Sequence, residues 1–124
     1  MSEVSENSRV LLVSGAASGI GAAIAQSAVA RGHRVMLSDV NEQAVQARAL
    51  SLGNRAAACV LDIRDPAAWV KAFEATQAAF GAVDVLVNNA GITHTGHASD
   101  LSPRQHRDIL EVNLLGAITG TCTA

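Results

Sequence analysis

Four short apolar runs, Val10 to Val13, Val35 to Leu37, Ala56 to Leu61 and Val83 to Val87, alternate along the chain with longer segments of helical period. Each run is too short for a helix and suits a strand buried on both faces. Such alternation requires a parallel sheet covered on both sides, and right-handed crossovers restrict how it is wound. The expected architecture is α/β: the first half of a doubly wound parallel sheet, with strand order 3-2-1-4.

The intervening segments carry helix signals. Ile20, Ala23, Ile24, Ser27 and Ala28 form a stripe at helical spacing, with Gly32 placed to stop the helix. The second helix is expected from the N-cap Asn41 to Gly53, turning Val45, Ala49 and Leu52 inward. Asp65-Pro66 supplies cap and first-turn proline to a third, whose Trp69, Phe73 and Phe80 share a face. Ser102-Pro103-Arg104-Gln105 reads as a capping box opening a fourth helix that runs toward the C-terminus.

With 49% hydrophobic and 16% charged residues, the 124-residue chain can fill one core. Residues 9–124 are expected to form that domain and residues 1–8 to be disordered. A net charge of −2 and an aromatic set of Trp69, Phe73 and Phe80 argue against nucleic acid. No apolar stretch approaches the ~20 residues that span a bilayer, and residues 1–8 lack a secretory pattern. The expectation is a cytoplasmic protein, with Cys59 and Cys122 as reduced thiols.

Directly after the first apolar run comes Ser14-Gly15-Ala16-Ala17-Ser18-Gly19-Ile20-Gly21. With Ser18 as N-cap, the N–H groups of Gly19, Ile20 and Gly21 point out of a helix N-terminus and make an anion site. Gly15 permits the tight turn, Gly19 lets a pyrophosphate approach, and Gly21 lets the helix pack on the strand. The plainer alternative is an ordinary glycine-rich strand-to-helix turn. Asp39, at the end of the second strand, favours a dinucleotide, because its carboxylate can accept from both ribose hydroxyls and would repel a 2′-phosphate. The plainer alternative there is a solvated turn aspartate. No Arg or Lys lies between Gly15 and Gly21, and Val40 and Asn41 follow Asp39, so no cation is at hand for that phosphate. The reading is NAD, with NADP disfavoured.

Together with this turn, Val87-Asn88-Asn89-Ala90-Gly91 and Val112-Asn113-Leu114-Leu115-Gly116 make residues 9–124 resemble the short-chain dehydrogenase/reductase family. The resemblance implies a Rossmann-like fold. It also implies a cofactor set of Gly15, Ser18, Gly19, Ile20, Gly21, Asp39 and Val40, with Asp62 and Ile63 bracketing the adenine. Asn89, Ala90 and Gly91 would lie along the cofactor ribose, and Asn113 would hold a water in the proton relay. The family has threonine where this chain has Ser14. His94 and His97 could supply two metal ligands, but no cysteine is near, so no metal is assigned. The resemblance implies that the segment after the fourth strand borders the substrate mouth, which makes His94 a candidate substrate contact.

The family's proton donor is the tyrosine of Tyr-x-x-x-Lys, supported by a serine. This chain has no tyrosine, and its only lysine is Lys71. The expectation is the N-terminal part of a longer NAD-dependent oxidoreductase of secondary alcohols and ketones, inactive by itself. Expected partners are that small-molecule substrate and further copies of the complete chain, with neither nucleic acid nor membrane. The alternatives are a noncatalytic nucleotide-binding or assembly module and, less favoured by the two asparagine motifs, an S-adenosylmethionine methyltransferase. Gly116 and Gly120 are read as helix-packing residues.

Overall fold

The computed structural model describes residues 7–90, 102–110 and 116–123. Four parallel strands, β1 (Val10–Ser14), β2 (Arg34–Asp39), β3 (Ala56–Val60) and β4 (Val85–Val87), form one sheet in the order β3-β2-β1-β4. This is the expected 3-2-1-4 winding, a Rossmann-like half-sheet. Val10–Ser14 pair in register with Arg34–Ser38, and Leu11–Val13 with Val85–Val87.

Alternation along the two central strands splits the core. Leu11, Val13, Val35 and Leu37 face a layer formed by α1 (Gly19–Ala30) and α2 (Glu42–Leu52), through Ala25, Ala28, Val29, Val45 and Ala49. Leu12 and Met36 face the opposite layer, where α3 (Pro66–Phe80) contributes Trp69 and Ala72 beside Leu61 and Ile63. Burial on both faces thus holds for β1 and most of β2. The flanking strands β3 and β4 are half-open, with Val60 and Val85 exposed.

The helix ends follow from local chemistry. Asn41 Oδ1 accepts from Ala44 N–H at 3.1 Å, and Asp65 Oδ1 from Ala67 N–H at 3.0 Å. At the end of α1, Gly32 takes φ +90°. His33 N–H donates to Ala28 O and Gly32 N–H to Val29 O, both at 3.0 Å, closing the helix with a Schellman motif. Ser102 and Gln105 exchange the two bonds of a capping box at the start of α4 (Pro103–Leu110). The expected single fourth helix is described as two segments, α4 and α5 (Ala117–Thr123), on either side of residues 111–115. α5 packs against α3. Of the N-terminal stretch expected to be disordered, residues 1–6 lie outside the described residues, and Ser8 Oγ accepts from Arg34 Nε at 3.4 Å.

One expectation is corrected. The buried side of α1 is Gly21, Ala22, Ala25, Ala28 and Val29, whereas Ile20 is 73% exposed and Ala23 and Ser27 face solvent. The helix is apolar nearly all round, so periodicity alone cannot choose its inward face. Small residues win that face because the helix lies close against β1, as the glycine contacts below require.

β4 has only three residues, and side chains tie both of its ends to β1. Asp84 Oδ2 accepts from Val10 N–H at 2.8 Å, while Asp84 N–H donates to Val10 O at 2.9 Å. At the other end the buried Ser14 hydroxyl donates to Val87 O at 3.2 Å and accepts from the N–H groups of Asn89 and Ala90 at 3.1 and 3.0 Å. Ser14→Ala removes three bonds and leaves the part-buried Ala90 N–H without its acceptor, while Asn89 N–H and Val87 O keep the 3.0 Å bond between them; the expected loss in urea unfolding is about 1–3 kcal/mol. That exceeds the roughly 1 kcal/mol expected from removing the exposed cap in Asn41→Ala. Equal losses in the two variants would refute the joint.

Candidate functional site

The order β3-β2-β1-β4 means that the chain, after stepping outward from β1 through β2 to β3, returns to pair β4 on the other side of β1. The crevice outside the strands' carboxyl ends at this switch point is where doubly wound sheets accept ligands. Four chain segments meet there: the turn after β1, the end of β2, the turn after β3 and the end of β4.

The first is shaped by glycine. Gly15 takes φ +67°, and a Cβ on it would stand 2.8 Å from Ala90 Cα. A Cβ on Gly21 would strike the Gly15 carbonyl oxygen and lie 2.6 Å from Asn89 Nδ2. Both glycines are therefore required by contacts inside the protein. Gly19 differs: at φ +59° nothing lies within 4 Å of its Cβ position, so its surroundings are open. The first bond of α1 runs from Ala22 N–H to Ser18 O at 3.3 Å, leaving the N–H groups of Gly19, Ile20 and Gly21 ahead of the helical ladder. Ser18 stands at the N-cap position, but its exposed side chain makes no cap hydrogen bond, contrary to the simplest capping expectation. A Ser18 hydroxyl turned outward and three leading N–H groups form a surface suited to an anion.

At the end of β2, Asp39 reaches back to this turn. Its Oδ2 accepts from Ala17 N–H at 3.1 Å, and its Oδ1 from Asn41 N–H at 3.0 Å. Each carboxylate oxygen retains acceptor capacity for a hydroxyl. Val40 beside it is exposed. The expectation that no cation stands near is corrected: Arg48, on α2, brings Nη2 within 3.5 Å of Ala17 O. Arg48 stands nine positions after Asp39 in sequence, and only the seating of α2 against the turn brings its side chain back.

After β3, Asp62 is paired with Arg64, whose Nε and Nη2 donate to Oδ1 and Oδ2 at 3.1 and 3.0 Å and whose N–H donates to Oδ1 at 3.0 Å. The side-chain bond from Arg64, helped by its backbone N–H and its charge, holds the Asp62 carboxyl below the usual aspartate range against a smaller opposing effect of burial. Asp62 lines an open groove of about 420 Å³ with Val40, Val60, Asp65, Ala68 and Lys71. Ile63 faces the other way: it is 4% exposed and belongs to the core around Trp69. Ile63 is not among the residues that line the groove.

At the end of β4, Asn89 Nδ2 donates to Gly15 O at 3.1 Å, locking this segment to the glycine turn. Asn88 Nδ2 instead donates to Thr121 Oγ1 at 3.1 Å, joining β4 to α5. The structure thus gathers Gly15, Ser18, Gly19, Ile20, Gly21, Asp39, Asn89 and Ala90 around the switch point and places Val40, Asp62 and Ile63 along one side. Gly91, His94, His97 and Asn113 lie outside the described residues. Among the described residues no group of three or more His, Cys, Asp or Glu could hold a metal ion, and no helix is long and apolar enough to cross a membrane. The Cys59 thiol is pushed up to about 11 by burial, which keeps it protonated.

Residues 9–124 match the family model for short chain dehydrogenases. The chain is 39% identical over 112 residues to a 3-alpha-(or 20-beta)-hydroxysteroid dehydrogenase of Mycobacterium tuberculosis, covering 90% of this chain and 43% of the relative. It is 40% identical over 106 residues to a 3-oxoacyl-[acyl-carrier-protein] reductase of Escherichia coli, covering 86% of this chain and 43% of the relative. Among solved structures, a 3-ketoacyl-(acyl-carrier-protein) reductase from Brucella melitensis complexed with NADH superposes with a TM-score of 0.89 at 35% identity, over 92% of this chain and 47% of that one. A short chain dehydrogenase/reductase from Burkholderia phymatum in complex with NAD gives 0.89 at 28% identity, over 99% and 44%. The chain spans less than half the length of each of these relatives. Glycine turn, switch-point crevice and family match agree, and the chain belongs to the short chain dehydrogenase family of oxidoreductases.

Proposed function

We propose that this chain is the cofactor-binding part of an NAD-dependent oxidoreductase acting on secondary alcohols and ketones. The observation that carries the proposal is Asp39, whose carboxylate is held by Ala17 N–H on the same turn that opens α1. An acceptor for a ribose diol and an anion-binding helix start are thereby joined by one hydrogen bond. The solved relatives complexed with NADH and NAD support a nicotinamide dinucleotide as the group that fits.

The residues match such a ligand in parts. Gly15, Ser18, Gly19, Ile20 and Gly21 would hold the pyrophosphate, Asp39 and Val40 the adenosine ribose, and Asp62 and the Ile63 backbone the adenine. Asn89, Ala90 and Gly91 would lie along the second ribose, and Asn113 would serve the proton relay. When bound, the nicotinamide supplies the hydride acceptor or donor. Moving the hydroxyl proton needs a group at the substrate oxygen. The family's tyrosine for that role has no counterpart in a chain without tyrosine, so the proposal gives these 124 residues binding and no turnover. A noncatalytic nucleotide-binding module would bind equally but show no turnover in the complete protein either.

Asp39 decides the cofactor. Its negative charge opposes a 2′-phosphate and accepts from 2′- and 3′-hydroxyls. Asp39→Ala is expected to weaken NADH by about tenfold or more, the scale of a lost hydrogen bond to a charged group. The same change should improve NADPH, with Arg48 left as the nearby cation. Calorimetric titration of both cofactors checks this, and an unchanged NADH to NADPH ratio would reject the assignment.

Asp62 makes a second prediction through its pairing with Arg64. A carboxyl whose native pKa is depressed contributes stability above its unfolded value, and that contribution is lost as pH falls through the lower native value. Asp62 should therefore titrate below the usual aspartate range, held there first by the Arg64 side-chain bond. Arg64→Met should move the midpoint upward. The carbon-13 shift of the Asp62 carboxyl against pH reads it, and identical midpoints would show that the pair has no influence.

A further inference from the structure

We propose that Trp69, a fully buried residue of α3, is a positioning residue for the purine end of the groove, acting through the Ile63–Arg64 peptide. The inference rests on the nucleotide reading above and deepens it. The Trp69 indole N–H donates to Ile63 O at 2.9 Å inside the core. At the opposite end of that same peptide, the Arg64 N–H donates to Asp62 Oδ1 at 3.0 Å. A trans peptide is a rigid plane with its C=O and N–H pointing in opposite directions. Fixing the carbonyl toward the indole therefore aims the N–H at the carboxylate that faces the groove.

The indole is itself held from behind. A Cβ on Gly120 of α5 would strike the Trp69 ring, and a Cβ on Gly116 would stand 2.7 Å from Ile63 Cδ1 and 3.0 Å from Ile63 O. Gly120 within α5 and Gly116 just before it thus let this segment close over the ring and the turn together. Around the turn, Leu61 N–H donates to Asp39 O and Asp65 N–H to Asp62 O, both at 3.0 Å, so its two flanks are pinned independently. The peptide between them takes its direction from Trp69. A phenylalanine would fill most of the ring's volume but leave the Ile63 carbonyl buried without its donor, and the plane would rotate to recover a partner. Asp62 would lose its backbone bond with it.

The test compares the two halves of the dinucleotide in the full-length protein. Affinities for AMP, nicotinamide mononucleotide and NADH are measured by calorimetry for the wild type and for Trp69→Phe. AMP and NADH should weaken about tenfold, nicotinamide mononucleotide should change less than about twofold, and the Asp62 carboxyl midpoint should rise. A folded Trp69→Phe that binds AMP as well as the wild type, or that loses both halves equally, overturns the role. If Trp69→Phe does not fold, Gly120→Ala decides: it keeps the indole N–H but displaces the ring, so the same selective loss of AMP supports the proposal and unchanged AMP affinity overturns it. Wild-type protein that binds neither AMP nor NADH would overturn the nucleotide reading itself, and this inference with it.

Discussion

The approach of Gly21 to the Gly15 carbonyl is the contact on which the rest of the site depends. No side chain fits between them, because a Cβ would collide with the carbonyl oxygen and crowd the Asn89 amide. α1 is therefore seated directly on the turn that precedes it. That seating selects Gly21, Ala22, Ala25, Ala28 and Val29 as the inward face and puts the helix's leading N–H groups at the sheet's carboxyl edge. It also leaves the Gly15 carbonyl within reach of Asn89, so the end of β4 is bonded to the same turn. A helix face, the placement of the leading N–H groups and the joint between β1 and β4 follow from one steric constraint.

Around that contact, polar side chains serve the backbone before they serve a ligand. The Ser14 hydroxyl satisfies three main-chain groups, Asp39 accepts from two N–H groups, and Asn89 donates to a carbonyl. Such groups are costly to leave unpaired in a half-buried crevice, so their orientations are set before anything binds. Asp39 is held between two backbone donors, whereas Asp62 is paired with the Arg64 side chain. A ligand meeting this edge finds acceptors already aimed, which reduces the ordering that binding must impose.

Most of the fold was legible because local chemistry and global topology agree. The apolar runs marked the strands within two residues at each end, and Asn41, Asp65, Ser102 and Gln105 behave as the caps their types and spacing suggested. What could not be read was direction in the third dimension. The inward face of α1 was hidden because the helix is apolar on nearly every side, and a strict steric contact, not periodicity, chooses it. Arg48 was missed because a side chain that meets Ala17 from another helix has no local signal. Ile63 was recognisable as the aliphatic residue after Asp62, yet a motif carries identity without orientation, and the side chain turned into the core. The packing role of Gly116 and Gly120 was visible as small residues one turn apart, but not that Ile63 and Trp69 were the residues they admit.

The turn after β1 and the turn after β3 are thus held in the same manner by different materials. At the turn after β1, glycines remove side chains so that backbone meets backbone across Gly15 and Gly21. At the turn after β3, Gly116 and Gly120 leave room for Ile63 and for the Trp69 indole, whose N–H donates to Ile63 O. In both places the course of the main chain is set by a close-packed partner on its inner side. Close-packed interiors transmit displacement with little compliance. Residues that never reach the crevice therefore govern its shape, and substitutions at buried glycines or at Trp69 should act on the ligand through the backbone they constrain.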